Sequence, residues 1–170
     1  DQIEKKFKKL IRYSDPISSQ KTLFIWPEGI FSGYSYEEIL IFKDLIKKSF
    51  SKQHYIILGI NKLDTNTGSF FNSLLLVNNQ FDVIHQYNKQ KLVPFGEFLP
   101  FSNFLNKFGL KKITEGHGSF QKGSKNKNIK LDQMNILPLI CYEVIFTNFI
   151  QQASPDTNLI VNISEDAWFG

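Results

Sequence analysis

"ILPLICYEVIF", residues 136–146, is an apolar run that rises to the chain's single cysteine, Cys141, with Tyr142 and Glu143 directly after it. The run reads as the end of a strand, and "EVIFTNFIQQA" (143–153) reads as a short helix, so Cys141 falls where one gives way to the other. In α/β proteins such a junction is a sharp turn that exposes its side chain. A helix N-terminus there would lower the thiol pKa and favour a thiolate nucleophile. Free cysteine is also among the most buried residue types, so this stretch alone leaves core filling open.

Working outward, strands alternate with helices. Residues 2–12 place Ile3, Phe7, Leu10 and Ile11 on one helical face, with lysines opposite. "TLFIW" (22–26) is a buried strand ended by Pro27, and a helix follows over 36–50 on the spacing of Ile39, Phe42, Ile46 and Phe50. "YIILGI" (55–60) is a further strand, and "FFNSLLLV" (70–77) and "FDVIHQY" (81–87) flank "NNQ" as a hairpin. A loop-rich stretch from Leu92 to about Lys130 carries Phe101, Phe104, Leu105 and Phe108 at helical spacing, then a lysine-rich tract. "IKLDQMNILPLI" (129–140) returns to strand, "SPD" (154–156) turns, and "NLIVNI" (158–163) is a final strand. The alternation predicts an α/β fold in one domain.

The 170 residues are 42% apolar and 21% charged, the composition of a folded chain rather than a disordered one. A formal net charge of +4 permits contact with anionic lipid or nucleic acid without arguing for either. The apolar runs are far shorter than the ~20 residues a membrane-spanning helix requires. Chain start and end, Asp1 and Gly170, read like the limits of a piece of something longer.

Three further residues stand out. Glu28, in "FIWPEGIF", ends a buried strand as either a turn residue or a carboxylate held for acid–base work. Lys89 ends the hairpin's second strand, and Glu97 follows in the Pro-Gly-kinked "LVPFGEFLP" (92–100). Flanked by Phe95 and Phe98, Glu97 needs a partner if it is buried, and Lys89 is a candidate.

"WPEG" (26–29), "YNK" (87–89) followed by "LVPFGEFLP", "CYE" (141–143) and "DAWFG" (166–170) occur in the order and approximate spacing of the nitrilase superfamily. More narrowly they resemble the catalytic domain of bacterial apolipoprotein N-acyltransferases, with Glu–Lys–Cys intervals of 61 and 52 residues. The resemblance implies an α-β-β-α sandwich, with Cys141 as nucleophile, Glu28 as general base and Lys89 as electrostatic stabiliser. It implies supporting roles for Glu97, Tyr142 and Glu143, and a substrate pocket at Trp168 and Phe169. The reaction implied is transfer of an acyl chain from a phosphatidylethanolamine-like phospholipid, through a cysteine thioester, to the N-terminal amine of a diacylglyceryl-cysteine apolipoprotein. It implies no cofactor, no metal and no nucleic acid partner, and a place at the membrane surface on the periplasmic face of the inner membrane.

Three features depart from the family's pattern. This chain lacks the family's bundle of membrane helices. It ends at "DAWFG", where the family's domain continues, so the sandwich is expected to be incomplete at its C-terminus. Glu165 stands where the family usually has Asn, adding a negative charge near the expected pocket. The alternatives are a soluble amidase or nitrilase using the same three residues, and an inactive remnant of the acyltransferase. In an enzyme acting on lipid, the Phe101–Phe108 stripe would meet the membrane or an acyl tunnel, where an ordinary helix would turn it to the core.

Overall fold

The computed structural model describes residues 2–94, 96–98, 120–124, 128–151 and 153–165. The Phe101–Phe108 stripe, Phe95, Trp168 and Phe169 lie outside the described residues.

Two sheets form the centre. The first contains β1 (Thr22–Ile25), β2 (His54–Leu63), β3 (Phe70–Asn78) and β4 (Val83–Asn88) in the order β1-β2-β3-β4. Strand β1 pairs parallel to β2, and the other neighbours pair antiparallel. The second contains β5 (Ile129–Leu131), β6 (Met134–Ile140) and β7 (Leu159–Ile163), with β5 antiparallel and β7 parallel to β6.

The period of two along each strand sends alternate side chains to opposite faces and thereby builds the layers. Ile56, Leu58, Ile60, Leu75 and Val77 pack beneath α1 (Gln2–Ser14), α2 (Tyr36–Ile39) and α3 (Lys43–Ser49), against Phe7, Ile39, Ile46 and Phe50. On the opposite face Ile57, Leu74, Leu76 and Tyr87 meet Ile136, Ile140, Val161 and Ile163 of the second sheet. That sheet's outer face, Leu137 and Leu139, is covered by Phe149 from α4 (Thr147–Ile150). The layers therefore run helix, sheet, sheet, helix.

Local chemistry sets the details. Ser35 caps α2 through a reciprocal box with Glu38. The expected single helix over 36–50 is interrupted by a 3-10 turn at Leu40–Phe42, in a stretch whose β-branched and aromatic residues favour helix weakly. The segment 129–140 is a hairpin rather than one strand, because Asp132 adopts a positive φ of 52° and turns the chain between β5 and β6. Likewise the helix expected over 143–153 divides into a 3-10 turn, Cys141–Ile145, and α4.

Strands β1, β2 and β4 run the same way, so their C-terminal ends lie beside the start of the antiparallel β3. The site is assembled at that end of the sandwich. Among the described residues no helix is long and apolar enough to cross a membrane.

Candidate active site

Each side chain of the site leaves the frame at or near a strand end. Glu28 follows β1, whose hydrogen bonding to β2 continues through Trp26 N–H to Ile57 O at 2.8 Å. Gly59 of β2 lets this segment approach: a Cβ there would lie 2.8 Å from Glu28 Cα and 2.9 Å from Ile163 Cδ1. Lys89 follows β4, its N–H donating to Asn72 O at 2.8 Å while its own carbonyl accepts from Gly123 N–H at 2.8 Å. Cys141 follows β6 with φ of 53°, a left-handed turn that lifts its side chain out of the strand direction. Glu165 follows β7, and its carboxyl occupies the space a side chain on Gly29 would need.

A cavity of about 220 Å³ is lined by Glu28, Lys89, Glu97, Cys141, Tyr142 and Glu165, with Val93 and Gly96 completing its wall. Lys89 is buried at 2% exposure and balanced by two carboxylates: its Nζ is 3.0 Å from Glu97 Oε1 and 3.7 Å from Glu28 Oε1. Glu97 also accepts from Val93 N–H through Oε2 at 2.8 Å, which ties the "VPFGE" loop to the lysine. Among the described residues no cluster of His, Cys, Asp and Glu could hold a metal ion.

The electrostatics follow from burial and these few charges. Burial pushes the Glu28 carboxyl above the ordinary glutamate value, against the pull of Lys89 and the Asn72 hydrogen bond and with a smaller push from Glu97 and Glu165. Burial works to lower the Lys89 pKa, but Glu28 and Glu97 together outweigh it and hold the ammonium above its ordinary value. Cys141 is pushed up, first by burial and then by Glu28, with Lys89 opposing. That corrects the expected thiolate-favouring helix N-terminus: a five-residue 3-10 turn offers too little to offset burial and a facing carboxylate. A resting thiol beside a carboxyl group suits proton transfer between the two at the moment of attack.

Glu143 is fully buried and points away from the cavity. Its Oε2 accepts from Tyr87 O–H at 2.6 Å and Ile140 N–H at 3.0 Å, and its Oε1 accepts from Gln90 N–H at 2.6 Å and Lys91 N–H at 3.0 Å. It clamps the turn that carries Lys89 to the turn that carries Cys141, one turn from each sheet. Tyr142, 42% exposed, stands at the cavity wall.

Sequence reasoning passed over Asn72. Its Nδ2 donates to Glu28 Oε1 at 2.8 Å and to Glu97 Oε1 at 2.7 Å. The available signal was parity: Asn72 shares a strand face with the buried Leu74 and Leu76, where a polar side chain requires partners.

Two sheets packed face to face between helices, with a glutamate, a lysine and a cysteine converging at one end, define a nitrilase-type sandwich. The sequence matches the carbon-nitrogen hydrolase family over residues 2–170, and the chain belongs to that family. It is 38% identical over 102 residues to an apolipoprotein N-acyltransferase of Rhizobium leguminosarum, a match covering 59% of this chain and 19% of the relative. It is 32% identical over 155 residues to the apolipoprotein N-acyltransferase of Bradyrhizobium diazoefficiens, covering 88% of this chain and 29% of the relative. The chain thus spans less than a third of the length of these relatives. Among solved structures, the glutamine-dependent NAD+ synthetase of Acinetobacter baumannii superposes with a TM-score of 0.65 at 19% identity, over 96% of this chain and 30% of that one. A nitrilase-superfamily protein of Saccharomyces cerevisiae superposes at 0.62 with 16% identity, over 95% of this chain and 57% of that one. At these identities the likeness is one of fold.

Proposed function

We propose that this chain carries the acyl-transfer site of an apolipoprotein N-acyltransferase, moving an acyl chain from a phospholipid to the N-terminal amine of a diacylglyceryl-cysteine lipoprotein. The observation that carries the reading is the cavity in which Cys141 faces an ionisable Glu28 and a buried, doubly paired Lys89. Glu28 takes the Sγ proton as Cys141 attacks the ester carbonyl, and Lys89 stabilises the oxyanion that develops. As the C–O bond breaks, Glu28 returns the proton to the departing lysophospholipid oxygen, leaving a thioester on Cys141. The lipoprotein amine then attacks the thioester carbonyl. Glu28 takes the amine proton and passes it to the departing Sγ, which closes the cycle with the amide formed.

Charge supports an amine as acceptor. Three carboxylates, Glu28, Glu97 and Glu165, line the cavity against one ammonium and favour entry of the acceptor as its ammonium ion, which gives one proton to solvent before the neutral amine attacks. The curated relatives named above support lipid and lipoprotein substrates in general; action at the membrane surface on the periplasmic face is part of the same proposal.

The test is intact-protein mass spectrometry after incubation with phosphatidylethanolamine micelles, with Cys141→Ala in parallel. The expected result is a gain of one acyl group that hydroxylamine removes and the variant never shows. No adduct on a chain that melts cooperatively would overturn the reading, and turnover of small amides without an acyl adduct would favour an amidase instead.

A further inference from the structure

We infer that Asn72 is a positioning residue, whose side-chain amide orients the Glu28 and Glu97 carboxylates about Lys89 so that Glu28 keeps one oxygen free for the Cys141 proton. The inference rests on the proposed role of Glu28 as proton acceptor and is independent of the acyl donor's identity.

An amide nitrogen has two N–H bonds in one plane. Here one points to Glu28 Oε1 at 2.8 Å and the other to Glu97 Oε1 at 2.7 Å. The same two oxygens face Lys89 Nζ, at 3.7 and 3.0 Å. Two carboxylates are therefore gathered by four N–H···O or N⁺···O⁻ approaches, each through a single oxygen. The second oxygen of Glu97 is taken by Val93 N–H at 2.8 Å. Asn72 and Lys89 engage Glu28 through Oε1, and Oε2 is the oxygen assigned to the Cys141 proton.

Geometry also assigns the amide's orientation. Reversed, the Asn72 carbonyl oxygen would face two carboxylates and repel both. The main chain adds a third tie, because Asn72 O accepts from Lys89 N–H at 2.8 Å. One residue of β3, 9% exposed, thus contacts all three charged groups, Glu28, Lys89 and Glu97. Without its donors both carboxylates would lean on Lys89 alone, and Glu28 would surrender its proton less readily.

Cys141 is the single cysteine, so its carboxamidomethylation by iodoacetamide reads the site without any lipid. The rate is followed against pH by intact mass in the unmutated chain, Asn72→Ala and Asn72→Asp. Thioester formation from phosphatidylethanolamine is followed in the same three proteins. The acid limb of both profiles is expected to move to higher pH in Asn72→Ala. It moves further in Asn72→Asp, which keeps the shape of the side chain but replaces donors with a third carboxylate. Thioester formation at neutral pH should fall about tenfold or more in Asn72→Ala, within the range that proton-transfer catalysis contributes. Variants that melt cooperatively with the acid limb unmoved, or Asn72→Asp matching the unmutated chain, would overturn the inference. A missing thioester in the unmutated chain alongside shifted alkylation limbs would sink the lipid reading and leave this one standing. Should a variant fail to melt cooperatively, the side-chain amide resonances of Asn72 in the unmutated chain decide the matter: they must titrate with the acid limb, and pH-independent resonances would overturn the inference.

Discussion

Glu165 and Lys89 act on the site with opposite signs, and each can be tested singly. The Glu165 carboxylate adds to the forces that raise the Glu28 pKa. Glu165→Asn removes that charge, so the acid limb of thioester formation is expected to move to lower pH, the reverse of the shift expected at Asn72. An unmoved limb would mean that solvent screens the pair. Lys89 is buried between two carboxylates, and Lys89→Ala leaves both without their cation. Removing one partner of a buried ion pair costs about 3–5 kcal/mol. The loss should be visible in urea melts at neutral pH and shrink toward acidic pH, where the carboxylates protonate. Equal destabilisation at both pH values would indicate lost packing instead.

At the scale of elements, the site depends on turns held from below. Glu143 joins the β4 and β6 turns through four hydrogen bonds, two of them to the main chain that follows Lys89. Glu143→Ala should cost about 3 kcal/mol or more, since it strips three buried donors and one half-buried donor of their acceptor. Acyl transfer should fall with it, while the Tyr87→Phe variant, losing one donor only, should be milder by both measures. Gly59→Ala tests the approach of β1 to β2. The added methyl presses on the Glu28 main chain and on Ile163, so thioester formation should drop together with a loss of about 1–3 kcal/mol in stability. Unchanged transfer would show that the Glu28 turn can yield. Elements were legible in the sequence where the pattern ran long: the two central strands of the first sheet and α1 match the apolar spacing closely. The β5–β6 turn was missed because Asp132 offers a single weak turn signal inside an apolar stretch, and its left-handed φ is enforced by strand pairing on either side.

At the scale of the whole molecule, the two sheets cohere through one apolar layer in which Leu74 and Leu76 are fully buried. Leu76→Ala is expected to cost about 2–5 kcal/mol, and to lower the rate of transfer only in proportion to the unfolded fraction. The raised Lys89 pKa links stability to pH: the contribution is complete below the ordinary lysine value and is lost as pH rises through the folded one. Melting temperature should therefore fall on the alkaline side, and the fall should be smaller in Lys89→Ala, where only the raised Cys141, Tyr36 and Tyr87 still contribute to it. From its residues alone the chain declared an α/β fold, the positions of its strands, and a glutamate, a lysine and a cysteine at strand ends, because apolar periodicity and chain-breaking residues are local properties. That Glu97 is Lys89's partner was also within reach, since a carboxylate among aromatics must find a cation. The charge state of Cys141, the clamp formed by Glu143 and the bridge formed by Asn72 were beyond it. Each arises from groups far apart in the chain that only the packing of two sheets brings within hydrogen-bonding distance; burial there sets the direction of the Glu28 and Cys141 shifts, while the two carboxylates set that of Lys89.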